Sequence, residues 1–171
     1  PQHNYGVISG PTFAAEVARG MPAAIACAGN NAEATAHFAE LMHGNRFRCY
    51  SSEDVIGVEL GGALKNVLAI AVGVADGLGF GANTRAALMT RGLAEVMRLG
   101  VRLGAQQETL MGLAGLGDLI LTCTDDQSRN RRFGLALGRG KSVDQAEIEV
   151  GQTVEGLYAA RAIYLMAKRL E

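Results

Sequence analysis

Residues 63–75 read ALKNVLAIAVGVA, and Lys65 and Asn66 are the only polar side chains among them. A helix that is apolar on every side is a buried helix. This stretch therefore predicts a long buried helix over residues 53–76. No proline follows residue 22, so nothing in the sequence interrupts long helices from there onward.

The residues around this helix extend the prediction in the C-terminal direction. Ser52 is the predicted N-cap, and Asp54 would favour the first turn. Further helices are predicted downstream, so residues 53–171 are expected to form an all-helical domain. Their predicted ranges are 83–103, 106–112, 129–138, 143–148 and 151–170.

The residues before this helix have a different organisation. Strands are predicted at 5–9, 22–28 and 46–51, and helices at 12–19 and 31–43. An alternation of strands and helices with short connections implies α/β layering. Because three short strands make a poor sheet alone, residues 1–52 are predicted to be the end of a larger sheet.

The composition restricts the class of protein. The 171 residues are 49% hydrophobic and 19% charged, which excludes wholesale disorder. The net charge of −1 supplies no global positive field for nucleic acid or an anionic membrane. The longest apolar stretch, residues 67–75, is far shorter than the roughly 20 residues of a membrane helix, so no membrane span is expected. Residues 1–5 contain no Lys or Arg and do not resemble a secretory leader.

The cysteines and histidines do not suggest a metal site. Cys27, Cys49 and Cys123 are scattered without metal-binding spacing and are expected to be reduced, buried thiols of a cytoplasmic protein. His37 and His43 are six residues apart, so they would not share a helix face as i,i+4 ligands do. No metal is therefore expected.

Glycine is unusually frequent in the central part of the chain. It accounts for 23 residues, and 13 of them lie between Gly57 and Gly117. Each glycine inside a helix costs up to about 1 kcal/mol relative to alanine. Two explanations remain open, namely close approach of one helix to another and close approach of the backbone to a ligand.

Lys65 and Asp118 are the first candidates for chemistry. On an apolar helix, burial would disfavour the charged form of Lys65 and make it a proton donor or acceptor near neutral pH. Alternatively, its amine reaches solvent from the edge of the helix. The adjacent Asn66 favours a functional role, because two polar neighbours there need a shared polar partner. Asp118 precedes an aliphatic run and must be paired or hydrogen-bonded, with Lys65 as a candidate partner. The structural alternative is an N-cap for a short helix at 119–123, and the two roles are compatible.

A basic run lies at residues 128–132, which read SRNRR. Hydroxyl, guanidinium and amide donors beside a helix start could hold a phosphate. The structural alternative is a solvated basic face, and a nucleic-acid surface is disfavoured because the chain is only 5% aromatic.

The segment 81–85, GANTR, is interpreted structurally. Asn83 or Thr84 would cap the next helix. Arg91 and Glu95 would pair at i,i+4 along one stripe of that helix.

Five motifs occur in order: GPTFA at 10–14, ELGGALKN at 59–66, GANTR at 81–85, GLGD at 115–118 and SRNR at 128–131. Together they resemble bacterial NAD(P)-dependent glycerol-3-phosphate dehydrogenase. The resemblance covers only the second half of that family's polypeptide, and no G-x-G-x-x-G fingerprint follows a first strand here. It implies a mostly α fold, with an all-α domain like the C-terminal domain of the 6-phosphogluconate dehydrogenase group. The last α/β units of a truncated Rossmann domain would precede that domain, and the chain would end before the family's final helices.

The resemblance also implies an activity and a set of site residues. The family interconverts sn-glycerol 3-phosphate and dihydroxyacetone phosphate with NAD or NADP, for glycerophospholipid synthesis. Lys65 would be the general acid/base on the C2 oxygen, with Asp118 and Asn66 orienting and polarising it. The remaining implied contacts are Gly10, Thr12, Ser128, Arg129 and Asn130 to the substrate, and Ala14, Arg129 and Glu155 to the cofactor. Thr153 departs from the aliphatic residue expected beside Glu155.

Several consequences and alternatives follow from this resemblance. The glycines that flank Lys65 and Asp118 would let the backbone approach a small phosphorylated substrate; they are Gly61, Gly62, Gly115 and Gly117. The chain alone, lacking the fingerprint, is expected to bind NAD(P)H weakly and not to catalyse. One alternative is another reductase of the 6-phosphogluconate dehydrogenase group acting on a hydroxy acid. A second is a non-catalytic helical dimerisation module with a structural Lys65–Asp118 ion pair. A homodimer remains an open alternative for the assembly.

Overall fold

The computed structural model of the protein describes residues 3–168. Its first elements are β1 (Gly6–Ser9), α1 (Ala14–Ala18), β2 (Ala23–Gly29), α2 (Ala32–Met42) and β3 (Phe47–Ser52). The three strands form one sheet in the order β1-β2-β3. β1 runs antiparallel to β2, and β2 runs parallel to β3. The predicted alternation of strands and helices is confirmed.

The described chain from residue 55 onward is helical, as predicted. Its elements are α3 (Val55–Gly77), α4 (Ala82–Arg102), α5 (Gln107–Met111), a π-helical turn (Leu113–Gly117), α6 (Asp118–Thr124), α7 (Arg129–Gly138), α8 (Val143–Val150) and α9 (Glu155–Lys168). The last two residues of the helix predicted at 151–170 lie outside the described residues. The π-helical turn was not predicted.

Two predictions about helix starts are wrong. α4 begins at Ala82, so Asn83 and Thr84 lie inside its first turn and neither is its cap. Asp118 is the first residue of α6 rather than a cap in front of a helix at 119–123. The π-helical turn runs directly into α6, so no separate capping residue stands between them.

A third correction concerns the start of α3. This helix begins at Val55, and Asp54 rather than Ser52 is its N-cap, because the Gly57 backbone N–H donates to Asp54 Oδ1 at 2.8 Å. The second oxygen, Asp54 Oδ2, accepts from the backbone N–H of Gln106 at 2.8 Å. Asp54 is only 6% exposed. One carboxylate therefore both caps α3 and fastens the loop before α5.

Asp54→Ala is expected to lower the free energy of unfolding by about 2–4 kcal/mol, because it removes an N-cap and leaves two backbone N–H groups without an acceptor. Chemical denaturation measures this loss. The matched control is Glu53→Ala at the exposed neighbouring position. A loss for Asp54→Ala no larger than that of the control would contradict the role assigned to Asp54.

The chain divides into two compact units. The first unit runs to Gly62 and includes Gly100–Asp118; the second comprises Ala63–Leu99 and the residues from Leu119 onward. Within the first unit, Ile25, Cys27 and Cys49 form a core under α2, with Ala39 from that helix. A second cluster joins the sheet to the start of α3 and the π-helical turn; its buried members are Ala28, Val58 and Ala114.

The second unit is held together by direct backbone contact between α3 and α7. Gly73 and Gly77 on α3 face Gly134 and Gly138 on α7 in the same order along both helices. A Cβ on Gly77 would lie 2.9 Å from the Cα of Gly138, closer than real side chains approach. The i,i+4 spacing of glycines on both helices thus lets their main chains touch, as small-residue motifs do elsewhere.

These contacts explain part of the glycine enrichment and correct one expectation. Gly61 and Gly115 were predicted to let the backbone approach a substrate. Instead, a Cβ on Gly61 would overlap the carbonyl oxygen of Ala114, and one on Gly115 would overlap that of Leu110. At these two positions the close neighbour is the protein's own main chain, so helix packing is the explanation.

α3 is also the helix, among residues 3–168, that is long and apolar enough to cross a membrane when judged by length and composition alone. The buried core helix of a globular protein satisfies the same criterion. α3 has close contacts with α7 on one stretch and with the π-helical turn on another. We therefore interpret it as a core helix.

All three cysteines are free and buried, as predicted. Burial raises the pKa of the Cys123 thiol to about 12, despite the opposing effect of the nearby Arg131 cation. Burial also raises the pKa of the Cys27 and Cys49 thiols. These three thiols are therefore protonated and inert near neutral pH.

Candidate functional site

The amides of Asn66 and Asn130 meet inside the second unit. Asn130 Nδ2 donates to Asn66 Oδ1 at 3.0 Å, and Asn130 Oδ1 accepts from the backbone N–H of Gly156 at 2.9 Å. Asn130 is 3% exposed. This chain of hydrogen bonds links α3, α7 and α9, with 64 residues between the first pair of partners and 26 between the second.

Lys65 lies next to Asn66 on α3 and is partly buried rather than enclosed. Asn66 is hydrogen-bonded to the buried Asn130, and proton transfer by the neighbouring Lys65 stays a prediction.

Arg129 and Glu155 form an ion pair at the starts of α7 and α9. The Arg129 Nη2 atom donates to Glu155 Oε1 at 2.7 Å, and the two side chains are 37% and 53% exposed. Arginine carries five N–H donors, so this contact leaves donors that an anionic ligand could reach. The sequence predicted both residues at the site but not their pairing.

Ser128 has a structural role at the same place. Its Oγ atom accepts from the backbone N–H of Arg131 at 3.2 Å and caps α7. Ser128 is 5% exposed. As the N-cap it holds the helix start from which Arg129 projects, and a direct contact to substrate stays a prediction.

Asp118 belongs to the first unit, where it is 2% exposed. Its Oδ2 atom accepts from the Ser9 hydroxyl at 3.2 Å. The sequence predicted that this carboxylate must be hydrogen-bonded, but it gave no signal for Ser9 as a partner. Lys65 belongs to the other unit, so its pairing with Asp118 stays a prediction.

The other residues assigned by the GPTFA motif lie just after β1. Gly10 is buried, and its carbonyl oxygen accepts from the Thr12 hydroxyl at 3.1 Å. Ala14 is the first residue of α1 and is exposed. Their contacts to substrate and cofactor stay predictions.

The basic run at residues 128–132 is not, as a whole, a set of counter-charges for a phosphate, because Arg131 is buried and paired with acidic side chains. Arg131 is 7% exposed, and its guanidinium donates to Asp76 Oδ2 at 2.7 Å and to the Cys123 carbonyl at 3.0 Å. It also pairs with Asp126. Its charge is therefore already balanced inside the protein. Arg132 lines a cavity of about 310 Å³, and the candidate residues Lys65, Asn66, Arg129 and Asn130 are not among the residues that line it.

The GANTR segment has a similar internal role. Arg85 contacts both oxygens of Asp76, with Nε–Oδ2 at 3.0 Å and Nη2–Oδ1 at 3.1 Å. The predicted surface pair of Arg91 and Glu95 is confirmed at 3.2 Å. Asp76 was not singled out from the sequence, although it is the first acid after the apolar stretch of α3.

The donors and acceptors present fit one part of a nicotinamide dinucleotide. Arg129 offers a cationic donor and Glu155 a carboxylate acceptor at an accessible position, a combination that suits phosphate, ribose and carboxamide groups. The glycine-rich turn that binds a dinucleotide diphosphate is not among these residues. Among residues 3–168, no group of three His, Cys, Asp or Glu side chains is placed to hold a metal.

Comparison with known proteins gives consistent matches. A family model described as NAD-dependent glycerol-3-phosphate dehydrogenase C-terminus matches residues 54–171. The glycerol-3-phosphate dehydrogenase (NAD(P)+) of Psychromonas ingrahamii is 61% identical over 165 residues, which are 96% of this chain and 49% of the relative. That of Thioalkalivibrio sulfidiphilus is 64% identical over 164 residues, again 96% of this chain and 49% of the relative.

A solved structure agrees with the sequence matches. The crystal structure of glycerol-3-phosphate dehydrogenase from Coxiella burnetii has a TM-score of 0.96 at 54% identity, covering 98% of this chain and 52% of that one. The chain spans about half the length of the curated relatives it matches. These findings confirm the resemblance and the predicted helical fold. The chain therefore belongs to the family of NAD-dependent glycerol-3-phosphate dehydrogenases, whose C-terminal region it matches.

Proposed function

We propose that a full-length protein carrying this chain interconverts sn-glycerol 3-phosphate and dihydroxyacetone phosphate with NAD or NADP. The observation that carries the proposal is the cluster in the second unit. There the Asn66–Asn130–Gly156 hydrogen bonds and the Arg129–Glu155 ion pair converge on the starts of α7 and α9, with Lys65 adjacent to Asn66 on α3. The family match supports the choice of reaction.

In this mechanism Lys65 is the general acid/base. It takes the C2 hydroxyl proton when the alcohol is oxidised and returns it to the C2 oxygen when the ketone is reduced. When bound, the nicotinamide supplies or accepts the hydride at C2. Asn66 holds its orientation through Asn130, so its amide can polarise the same oxygen. Asp118, Gly10 and Thr12 are assigned to substrate by the resemblance.

Arg129 is the proposed phosphate contact. A phosphomonoester carries nearly two negative charges near neutral pH, and an exposed guanidinium can bind it through charge-assisted hydrogen bonds. The Arg129–Glu155 ion pair at 2.7 Å holds the proposed phosphate contact beside a proposed cofactor contact, which supports the assignment of the two residues to one site. Ala14 and Glu155 are the other proposed cofactor contacts.

The domain division and location belong to the same proposal. We infer that residues 1–52 are the end of a Rossmann domain and 53–171 a substrate domain; the family model, which begins at residue 54, supports this boundary. The three free, buried thiols agree with a cytoplasmic location.

A substrate panel tests the proposed reaction. The full-length protein should oxidise NADH or NADPH with dihydroxyacetone phosphate, and kcat/KM should be about 100-fold lower with dihydroxyacetone, since each lost charged hydrogen bond costs about 1.5–3 kcal/mol. Loss of reduced-nicotinamide absorbance measures the rate. Preference for a 2-keto acid would instead favour the hydroxy-acid reductase alternative, and no activity with any ketone would exclude both reactions.

A further inference from the structure

A network of four charged side chains lies beside the proposed phosphate contact. Arg131 and Arg85 both donate to Asp76, Arg131 Nη2 at 2.7 Å and Arg85 Nε at 3.0 Å. Asp126 pairs with Arg131 from the turn before α7. Two arginines and two aspartates balance in charge. The side chains of Arg131 and Asp76 are 9% and 7% exposed, so the pair at the centre is shielded from solvent.

Arg131 connects three backbone segments through one planar side chain. Its Nη2 atom reaches the last turn of α3 at Asp76, and its Nε atom donates to the Cys123 carbonyl in α6 at 3.0 Å. Its Nη1 atom pairs with Asp126 in the turn between α6 and α7. The guanidinium fork fixes directions as well as distances, which a lysine ammonium cannot reproduce.

The same residue fixes the first turn of α7. The Arg131 backbone N–H donates to Ser128 Oγ, and Arg129 lies between these two residues. The Arg129 side chain is 37% exposed and that of Arg131 is 9% exposed. Ser128 thus caps the helix start from which Arg129 projects, and the Arg131 side chain anchors the same turn to Asp76 and to the Cys123 carbonyl.

We propose that Arg131, held by Asp76 and Asp126, is a positioning residue for phosphate recognition by Arg129. The inference rests on the proposed function and goes beyond it by assigning the buried network to specificity for the phosphate group. Arg85 acts on the same position through Asp76, which gives the GANTR segment a role. A displacement of Arg129 by about 1 Å would lengthen its charge-assisted hydrogen bonds to the phosphate and weaken binding of the phosphorylated ketone.

The test compares Arg131→Lys with wild type in the full-length dehydrogenase, using dihydroxyacetone phosphate and dihydroxyacetone as the two ketones. KM for the phosphorylated ketone should rise by about 10-fold or more, with kcat changed by less than about 3-fold, since lost uniform binding raises KM alone. kcat/KM for dihydroxyacetone should stay within about 2-fold of wild type. Arg129→Ala should raise KM for dihydroxyacetone phosphate by more than Arg131→Lys does.

Two further variants separate positioning from folding. Arg91→Lys is the matched control, because Arg91 lies in an exposed ion pair on α4. It should leave KM and kcat for both ketones unchanged. Asp126 is the exposed partner of Arg131, with 74% of its side chain accessible. Asp126→Asn should therefore raise KM for dihydroxyacetone phosphate less than Arg131→Lys does. It remains available if Arg131→Lys does not fold.

Each outcome decides between the proposals. Equal losses with both ketones, or no change in KM for dihydroxyacetone phosphate in either variant, would overturn the positioning role. A wild-type enzyme that does not prefer the phosphorylated ketone would overturn the proposed function, whatever the variants show.

Discussion

Replacing Lys65 with methionine in the full-length dehydrogenase should lower kcat by about 10²–10⁴-fold, the usual contribution of a general acid/base. Methionine retains most of the volume and apolar surface of the lysine stem but has no proton to give or take. KM for dihydroxyacetone phosphate should change little, because the proposed phosphate contact is Arg129 rather than Lys65. Steady-state kinetics in the direction of ketone reduction measures both parameters.

The control for this experiment is Lys141→Met. Lys141 is an exposed lysine of the same unit and pairs with Glu149 at the surface, so its loss should leave kcat unchanged. Thermal unfolding of both variants should stay close to that of wild type. A Lys65→Met enzyme that turns over at a near-native rate would remove Lys65 from the mechanism.

Gly134→Ala should destabilise the protein by about 3 kcal/mol or more, at the upper end for overpacking, because the added methyl meets backbone rather than a movable side chain. A Cβ there would overlap the Ile70 carbonyl oxygen and lie 2.9 Å from the backbone nitrogen of Val74. Neither atom can shift without bending α3. At roughly 2–4 °C per kcal/mol for a domain of this size, the melting temperature should fall by about 6–12 °C.

Gly44→Ala is the matched glycine substitution. Gly44 is exposed, and a Cβ there would meet nothing within 4 Å, so the change should be within about 0.5 kcal/mol. Thermal unfolding of the two variants gives the comparison. A Gly134→Ala protein as stable as Gly44→Ala would show that α3 and α7 are not in rigid backbone contact.

Local patterns in the sequence predicted most of the secondary structure, and they also singled out the candidate site residues. The apolar stretch around Lys65 and Asn66 predicts a core helix because helical periodicity is a property of neighbouring residues. The basic run predicts a ligand-binding helix start because Ser128 and Arg129 are adjacent. The strand and helix order of residues 1–52 follows from short apolar runs separated by turn residues.

The partners of the charged residues could not be predicted in the same way. Arg131 and Asp76 are 55 residues apart, and no local pattern distinguishes the buried Arg131 from the partly exposed Arg129 two positions earlier. Ser9 and Asp118 are separated by 109 residues. Such pairs depend on how the helices pack.

The sequence did contain one indication of helix packing. Glycines recur at i,i+4 spacing on two helices, which indicates contact between their main chains.

The π-helical turn at Leu113–Gly117 affects how relatives should be compared with this chain. Its closing hydrogen bond, from the Gly117 N–H to the Gly112 carbonyl at 3.0 Å, spans one residue more than an α-helical turn does. One residue of helix corresponds to a rotation of about 100°. In any homologue that lacks this extra residue, an alignment without a gap here would set the wrong side chain opposite Asp118. Aspartate equivalents in distant reductases should therefore be assigned by superposition rather than by counting residues from the glycines.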